Sequence, residues 1–224
     1  MPNVLSQITA PYSRVESFLY DAVVARAVVV MDGGILDRLL GEVASGAEVL
    51  EVGCGGGQLA GEVARRRPDL RITGLDLSAE QVARARRRNR TLGDRARFIE
   101  GSALDLPFAD ASFDSAWSIA SIKHWPDQRR GLAEMVRVLR PGGLLAVAEA
   151  DRGCHLDDAR AFVARWRMPA SLRPLALMMF RTYVAGQGLD LDDARAHLAA
   201  LPLDDTRAER MPGAPGLLLG GRKR

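Results

Sequence analysis

The chain has 224 residues, 47% hydrophobic and 26% charged, with a mean hydropathy of −0.06, values that describe a soluble globular protein built on one sizeable core. Its formal net charge is only +3 and all but two of its 31 basic residues are arginine, so runs such as "RRRPD" and "ARARRRNR" are expected on solvated helix faces, with no nucleic-acid partner. No apolar run approaches the roughly 20 residues that span a bilayer, no leader pattern is visible, and Cys54 and Cys154 are too few for a disulfide framework or a zinc site; a cytoplasmic protein with no membrane partner and no metal is expected.

Residues 1–46 carry helical apolar spacing in "RVESFLYDAVVARAVVV" and again in "GGILDRLLGEVA", broken at Gly33 and Gly34, and are read as a helical cap. From 47 to 150 short β runs alternate with helical ones, which implies crossover connections and a parallel sheet. The strands are "EVLEV", "RITGLD", "ARFIEG", "FDSAWS" and "LLAVAEA", the last almost wholly apolar, as a central strand should be. Pro68 closes the first of the intervening helices, and "RPGG" stops the last, "QRRGLAEMVRVL". Ser78 and Gln81 form a capping box at the start of the second, and Gly93 is its C-terminal stop. Residues 151–190 are apolar and aromatic, without a strand pattern, and are read as a helical insertion. The remainder, 191–224, predicts a helix near Asp192 to Leu201, a weak strand near Asp205 to Arg210 and a last strand "LLLGG". All of this is one domain.

The glycines in "VLEVGCGGGQLA" lie after the first strand, where an open α/β sheet receives its ligand. Alone they fit dinucleotides, phosphates and other nucleosides. Three features narrow the choice. The dinucleotide pattern G-x-G-x-x-G fails at Gln58; Glu51 before the glycines repels a pyrophosphate and attracts a cation; Asp76 at the end of the second strand can accept hydrogen bonds from both hydroxyls of a ribose. A nucleoside bearing a cationic group answers all three, and S-adenosylmethionine is such a molecule.

From about Glu48 to Ala150 the sequence resembles the class I S-adenosylmethionine-dependent methyltransferases, in the branch of small bacterial enzymes. The resemblance is carried in order by "VLEVGCGGG", "GLDLS", "GSALDLPFADASFDSAWS", "IKHWPD" and "RVLRPGGLLAVAE". It implies a doubly wound, seven-stranded, mostly parallel Rossmann-like sheet whose last strand is antiparallel, with helical lid segments. It also implies that Gly53, Cys54, Gly55 and Gly57 form a loop against the methionine part of the cofactor, with Glu51 near its ammonium group. Asp76 would hold the ribose and Leu77 would pack on adenine. Ser102 and the backbone of Ala103 would meet the adenine edge, and Ser118 and the carbonyl of Ile119 would lie at the ammonium. Two departures stand out: Ser102 replaces a frequent acidic residue, and Lys123 with His124 replaces a frequent pair of histidines.

A sulfonium methyl is already activated, so the enzyme must mainly align an O, N or C nucleophile with it and exclude water; a base is needed only where the accepting atom must lose a proton. His124 is the candidate, with Asp151 and His155 behind it. The N-terminal helices and 151–188 are the spare material to cover the sheet end. Trp166, Met178, Met179 and Phe180, with Tyr12 and Tyr20, would line an apolar pocket for a small-molecule acceptor. A homodimer is compatible with the sequence. The rival readings are a non-catalytic cofactor-binding subunit, an RNA or protein methyltransferase, and a nicotinamide-dependent reductase; "SIAS" stands where a base-flipping enzyme carries its Asp/Asn-Pro-Pro-aromatic motif.

Overall fold

The computed structural model describes residues 34–166 and 168–224. The expected helix over 14–30, Tyr12 and Tyr20 lie outside the described residues. Helix α1 (Ile35–Glu42) leads into β1 (Glu48–Val52), α2 (Gln58–Arg66), β2 (Arg71–Asp76), α3 (Ala79–Arg88), β3 (Ala96–Glu100) and β4 (Phe113–Ile119). Next come α4 (Gln128–Val138), β5 (Leu139–Ala150), α5 (Leu156–Ala164), α6 (Arg173–Met179), α7 (Leu191–Ala199), β6 (Leu203–Arg210) and β7 (Gly216–Lys223). The seven strands form one sheet in the order β3-β2-β1-β4-β5-β7-β6. Pairs among β1 to β5 are parallel, and β7 runs antiparallel to both β5 and β6, as the sequence implies. Strand order reverses at β1 and β4, so their carboxyl ends form the crevice where such sheets bind ligands.

Alternation of side chains along the strands builds two cores. Val49, Ile72, Phe98 and Trp117 face the apolar stripes of α1, α2 and α3, including Leu39, Ala60, Val63 and Val82. Leu50, Val52, Leu75 and Ala116 face Leu132, Met135 and Val136 of α4 and Ala194 and Leu198 of α7. Strand β5 contributes Leu144 and Ala146 to one core and Leu145 and Val147 to the other, which explains its near-continuous apolar run.

Two boundaries differ from the sequence reading. Strand β5 begins at Leu139, five residues before "LLAVAEA": Phe113 pairs with Leu139, the register shifts, and Ser115 pairs with Leu144. "RPGG" therefore lies inside the strand as an irregularity, with Gly142 at φ +75°, instead of ending the preceding helix region. Helix α3 ends at Arg88, and Gly93 (φ +56°) lies in a following 3-10 segment, Arg90–Arg95, so it does not close the helix. Ser78 does cap α3, its side chain accepting from the Gln81 backbone at 3.4 Å, while the Ser78 N–H is taken by Asp76 at 2.9 Å.

Residues 152–188 leave and rejoin the sheet at one place. Arg152 N donates to Leu189 O at 2.8 Å, Leu189 N donates to Ala150 O at 3.2 Å, and a side chain at Gly188 would meet Ala150 O at 2.0 Å. Between these ties lie α5, α6, a π turn (Phe180–Val184) and two 3-10 turns around a third small core of Phe162, Val163, Ala176 and Phe180. The excursion is helical, as expected, and sits beyond the carboxyl end of β5. No described helix is long and apolar enough to cross a membrane.

Candidate active site

The chain leaves β1 through a loop that hugs β2: Gly53 N and Cys54 N both donate to Leu75 O, at 2.7 and 3.0 Å. Gly53, Gly55 and Gly57 have φ of +80°, +49° and +71°, a region that L side chains rarely occupy. Their missing side chains serve different ends. A Cβ on Gly53 would lie 1.9 Å from Ser121 Oγ, and one on Gly57 would press at 2.8 Å on Ala85, Asn89 and Phe98. A Cβ on Gly55 would meet nothing within 4 Å, so the open side of the loop is there. Cys54 is buried, and burial first, then the charges of Glu51 and Asp76, push its thiol well up, which makes it a small packing residue and no nucleophile.

Glu51 is 4% exposed, and its Oε2 has no partner among the described residues. Burial pushes its carboxyl up to about 8; the Ala60 backbone N–H opposes the shift and the charge of Asp76 adds to it. Asp76 bridges two elements: Oδ2 accepts from Gly55 N at 2.8 Å and Oδ1 from Ser78 N at 2.9 Å. Burial raises its pKa too, against those two N–H groups. Each of its oxygens keeps a lone pair for a further donor. Leu77, next in the chain, is 60% exposed, an apolar side chain open at the strand end. Beyond β3, Ser102 Oγ accepts from Leu104 N at 3.1 Å, and Ala103 packs on the core that contains Leu75 and Leu106.

At the end of β4, Ser118 is buried with its Oγ unpartnered among the described residues, and half-buried Ile119 packs between two cores. Ala120 follows at φ +55°, held by its N–H on Ala148 O at 2.7 Å and by Lys123 Nζ on its carbonyl at 2.9 Å. Lys123 and Glu149 form a buried ion pair at 2.7 Å; Glu149 also accepts from Ala150 N at 2.8 Å and from Lys123 N at 3.3 Å. The sequence reading noted Lys123 only as a departure and missed this pair. Its signals were present: one of two lysines in an arginine-rich chain, and one acid in an apolar strand. Also missed were Ser121, whose hydroxyl faces Gly53 and accepts from Trp125 Nε1 at 3.1 Å, and Asn89, which reaches the glycine loop from α3.

His124 is half-buried beside Lys123, and burial first, then the Lys123 charge, pull its pKa down to about 4 against the pull of Glu149. Of its two weaker alternatives, Asp151 is spoken for: it accepts from Gly153 N and from Arg210 Nε, both at 2.7 Å, tying β5 to β6. His155 is exposed at the start of α5. Trp166 and Phe180 pack edge to face at 6.3 Å inside the third core, while Met178 and Met179 face outward, 58% and 50% exposed. The four aromatic and methionine residues expected in one pocket therefore divide between a core and a surface.

A sheet whose strand order reverses at β1 and β4, an open left-handed glycine loop, a buried carboxyl with one oxygen unpartnered among the described residues and a second carboxyl at the next strand end make an α/β arrangement of the kind that binds nucleosides. The Methyltransferase domain family model matches residues 50–147. The chain is 38% identical over 181 residues to Methyltransferase GfsG of Streptomyces halstedii, an alignment covering 79% of this chain and 62% of that protein. It is 34% identical over 196 residues to an O-methyltransferase of Pyrenophora dematioidea, covering 84% and 71%. Among solved structures it is similar to a putative S-adenosylmethionine-dependent methyltransferase of Methanococcus maripaludis, with a TM-score of 0.69, 16% identity and coverage of 95% and 94%. The chain belongs to the class I S-adenosylmethionine-dependent methyltransferase family. It spans about three fifths of the length of the first curated relatives it matches.

Proposed function

We propose that the protein transfers a methyl group from S-adenosylmethionine to an oxygen of a small, largely apolar molecule by in-line displacement. The observation that carries this reading is the buried Glu51 Oε2, unpartnered among the described residues, behind an open glycine loop, which suits a cationic guest and disfavours a pyrophosphate. S-adenosylmethionine, when bound, supplies a methyl already activated by the sulfonium. The residues present fit it: Glu51 and the Ile119 carbonyl toward the ammonium group, Asp76 on the ribose, Leu77 on adenine, and Ser102, Ala103 and Ser118 around them. The names of O-methyltransferase relatives support oxygen as the accepting atom.

In this reading the excursion 152–188 covers the carboxyl end of β5, where it excludes water and presents Met178 and Met179 to the acceptor. His124 receives the proton of the acceptor hydroxyl. Its lowered pKa keeps the imidazole neutral at physiological pH and also makes it a weaker base than an ordinary histidine. Free Cys54 and Cys154 suit a reducing compartment, which supports a cytoplasmic location.

Calorimetry with S-adenosylhomocysteine and NAD, followed by mass spectrometry of a panel of phenolic and aliphatic alcohols incubated with S-adenosylmethionine, tests the proposal. Binding of the adenosyl ligand and a one-methyl mass gain on an alcohol are expected. Binding of NAD alone overturns the cofactor assignment, and methylation confined to amines overturns the choice of oxygen.

A further inference from the structure

Three backbone groups of the glycine loop are held by side chains of the segment that runs from the end of β2 through α3. Asp76, just before α3, accepts from Gly55 N; Arg88, in the last turn of α3, donates through Nη1 to Gly56 O; and Asn89, its C-terminal cap, donates through Nδ2 to Gly57 O at 2.8 Å and to Ala85 O at 3.0 Å. Three consecutive loop residues are thus held by the last residue of β2 and the C-terminal end of α3. Gly57 O also accepts the first helical bond of α2, from Gly61 N at 3.1 Å, so Asn89 grips the chain where loop becomes helix.

The fit around Asn89 is close. It is buried, and a Cβ on Gly61 would lie 2.1 Å from its Oδ1 and 3.0 Å from its Cγ. Gly61 is therefore inside α2 to admit this carboxamide, in spite of the cost of glycine in a helix. Arg88 differs in being exposed, its single described bond running to the loop.

We infer that Arg88 and Asn89 are positioning residues for the cofactor, holding the course of residues 55–57, in which Gly55 and Gly57 are left-handed, from behind and so setting affinity for the adenosyl ligand without touching it. This rests on the cofactor assignment proposed above. A loop without its latch relaxes in the free protein and must be reordered on binding, so the loss falls on affinity. Rate at saturating cofactor is spared.

The test is calorimetric affinity for S-adenosylhomocysteine, set against melting temperature and kcat. Arg88→Met is expected to lose about fivefold in affinity with the melting temperature unchanged, since it leaves the core intact. Asn89→Ala is expected to lose about tenfold, the scale of one buried hydrogen bond, and to melt lower. Adding Gly61→Ala puts a methyl into the vacated space and is expected to restore the melting temperature but not the affinity. Affinity within twofold of wild type in Arg88→Met, or affinity that recovers together with melting temperature in the double variant, overturns the inference. Failure of the wild-type protein to bind S-adenosylhomocysteine overturns the cofactor assignment itself and the inference with it.

Discussion

A carboxyl at Glu51 that titrates at about 8 is mostly protonated at pH 7 in the free protein. A cation placed against it favours the ionised form, so its pKa must fall on binding and a proton must leave. Binding of S-adenosylmethionine at pH 7 is therefore expected to release about one proton. Calorimetry in buffers of different ionisation enthalpy reads the release directly. Glu51→Gln should abolish it while weakening binding; release that persists in Glu51→Gln would assign the proton to another group. The Lys123–Glu149 pair makes a second test at this scale. Both side chains are almost wholly buried, and Glu149 is satisfied by three donors. Lys123→Met leaves an uncompensated buried charge and should cost about 3–5 kcal/mol by chemical denaturation, whereas Lys123→Met with Glu149→Leu should recover most of that loss. A double variant no more stable than the single one would show that Glu149 finds other support.

Among the elements, the excursion 152–188 separates residues that pack from residues that present. Phe180 is 1% exposed between Phe162 and Trp166, and its neighbour Met179 points outward. Phe180→Ala is expected to cost about 3–5 kcal/mol of stability, and Met179→Ala less than about 0.5 kcal/mol, by denaturant titration. In acceptor kinetics the order should reverse: Met179→Ala raises the acceptor KM at an unchanged KM for S-adenosylmethionine. Equal acceptor KM values for Met179→Ala and the wild-type protein would remove this surface from the pocket. Sequence alone could not divide these residues, because adjacent positions on short helices joined by a π turn carry no regular period. Where the pattern was regular it was readable: β1 to β4 and α2 announce themselves as short β runs alternating with helical ones, and by breakers such as Pro68. It failed at "RPGG", where glycine and proline punctuate a strand interior that survives through a register shift, and at Gly93, whose stop follows a helix already closed by Asn89. Of the site, Glu51, the glycines and Asp76 were legible because each is out of place in its element. Asn89 and Arg88 were not, since a polar residue at a helix end is ordinary until the fold brings a glycine loop against it.

For the molecule as a whole, both sheet edges carry charge, Arg97 and Glu100 on β3 and Asp204, Asp205 and Arg210 on β6, which disfavours association through either edge. The titrating groups inside set a stability profile that binding should reshape. His124 is depressed from 6.5 to about 4, so its contribution is present above pH 6.5 and is lost as pH falls toward 4. Glu51 is raised from 4.5 to about 8, so its contribution is present below pH 4.5 and is lost as pH rises toward 8. Between pH 4.5 and 6.5 the two slopes cancel. Above 6.5 Glu51 acts alone, and one proton over the remaining 1.5 pH units is worth about 2 kcal/mol. The free protein should show a broad stability plateau near pH 4.5–6.5, a fall on the acid side, and a fall of about 2 kcal/mol toward pH 8. Saturating S-adenosylmethionine should remove the alkaline fall, since the cation stabilises ionised Glu51, and leave the acid limb in place. Denaturant titrations from pH 4 to pH 9 with and without the cofactor check this. An alkaline limb that persists unchanged at saturation would mean that Glu51 is not facing the positive charge.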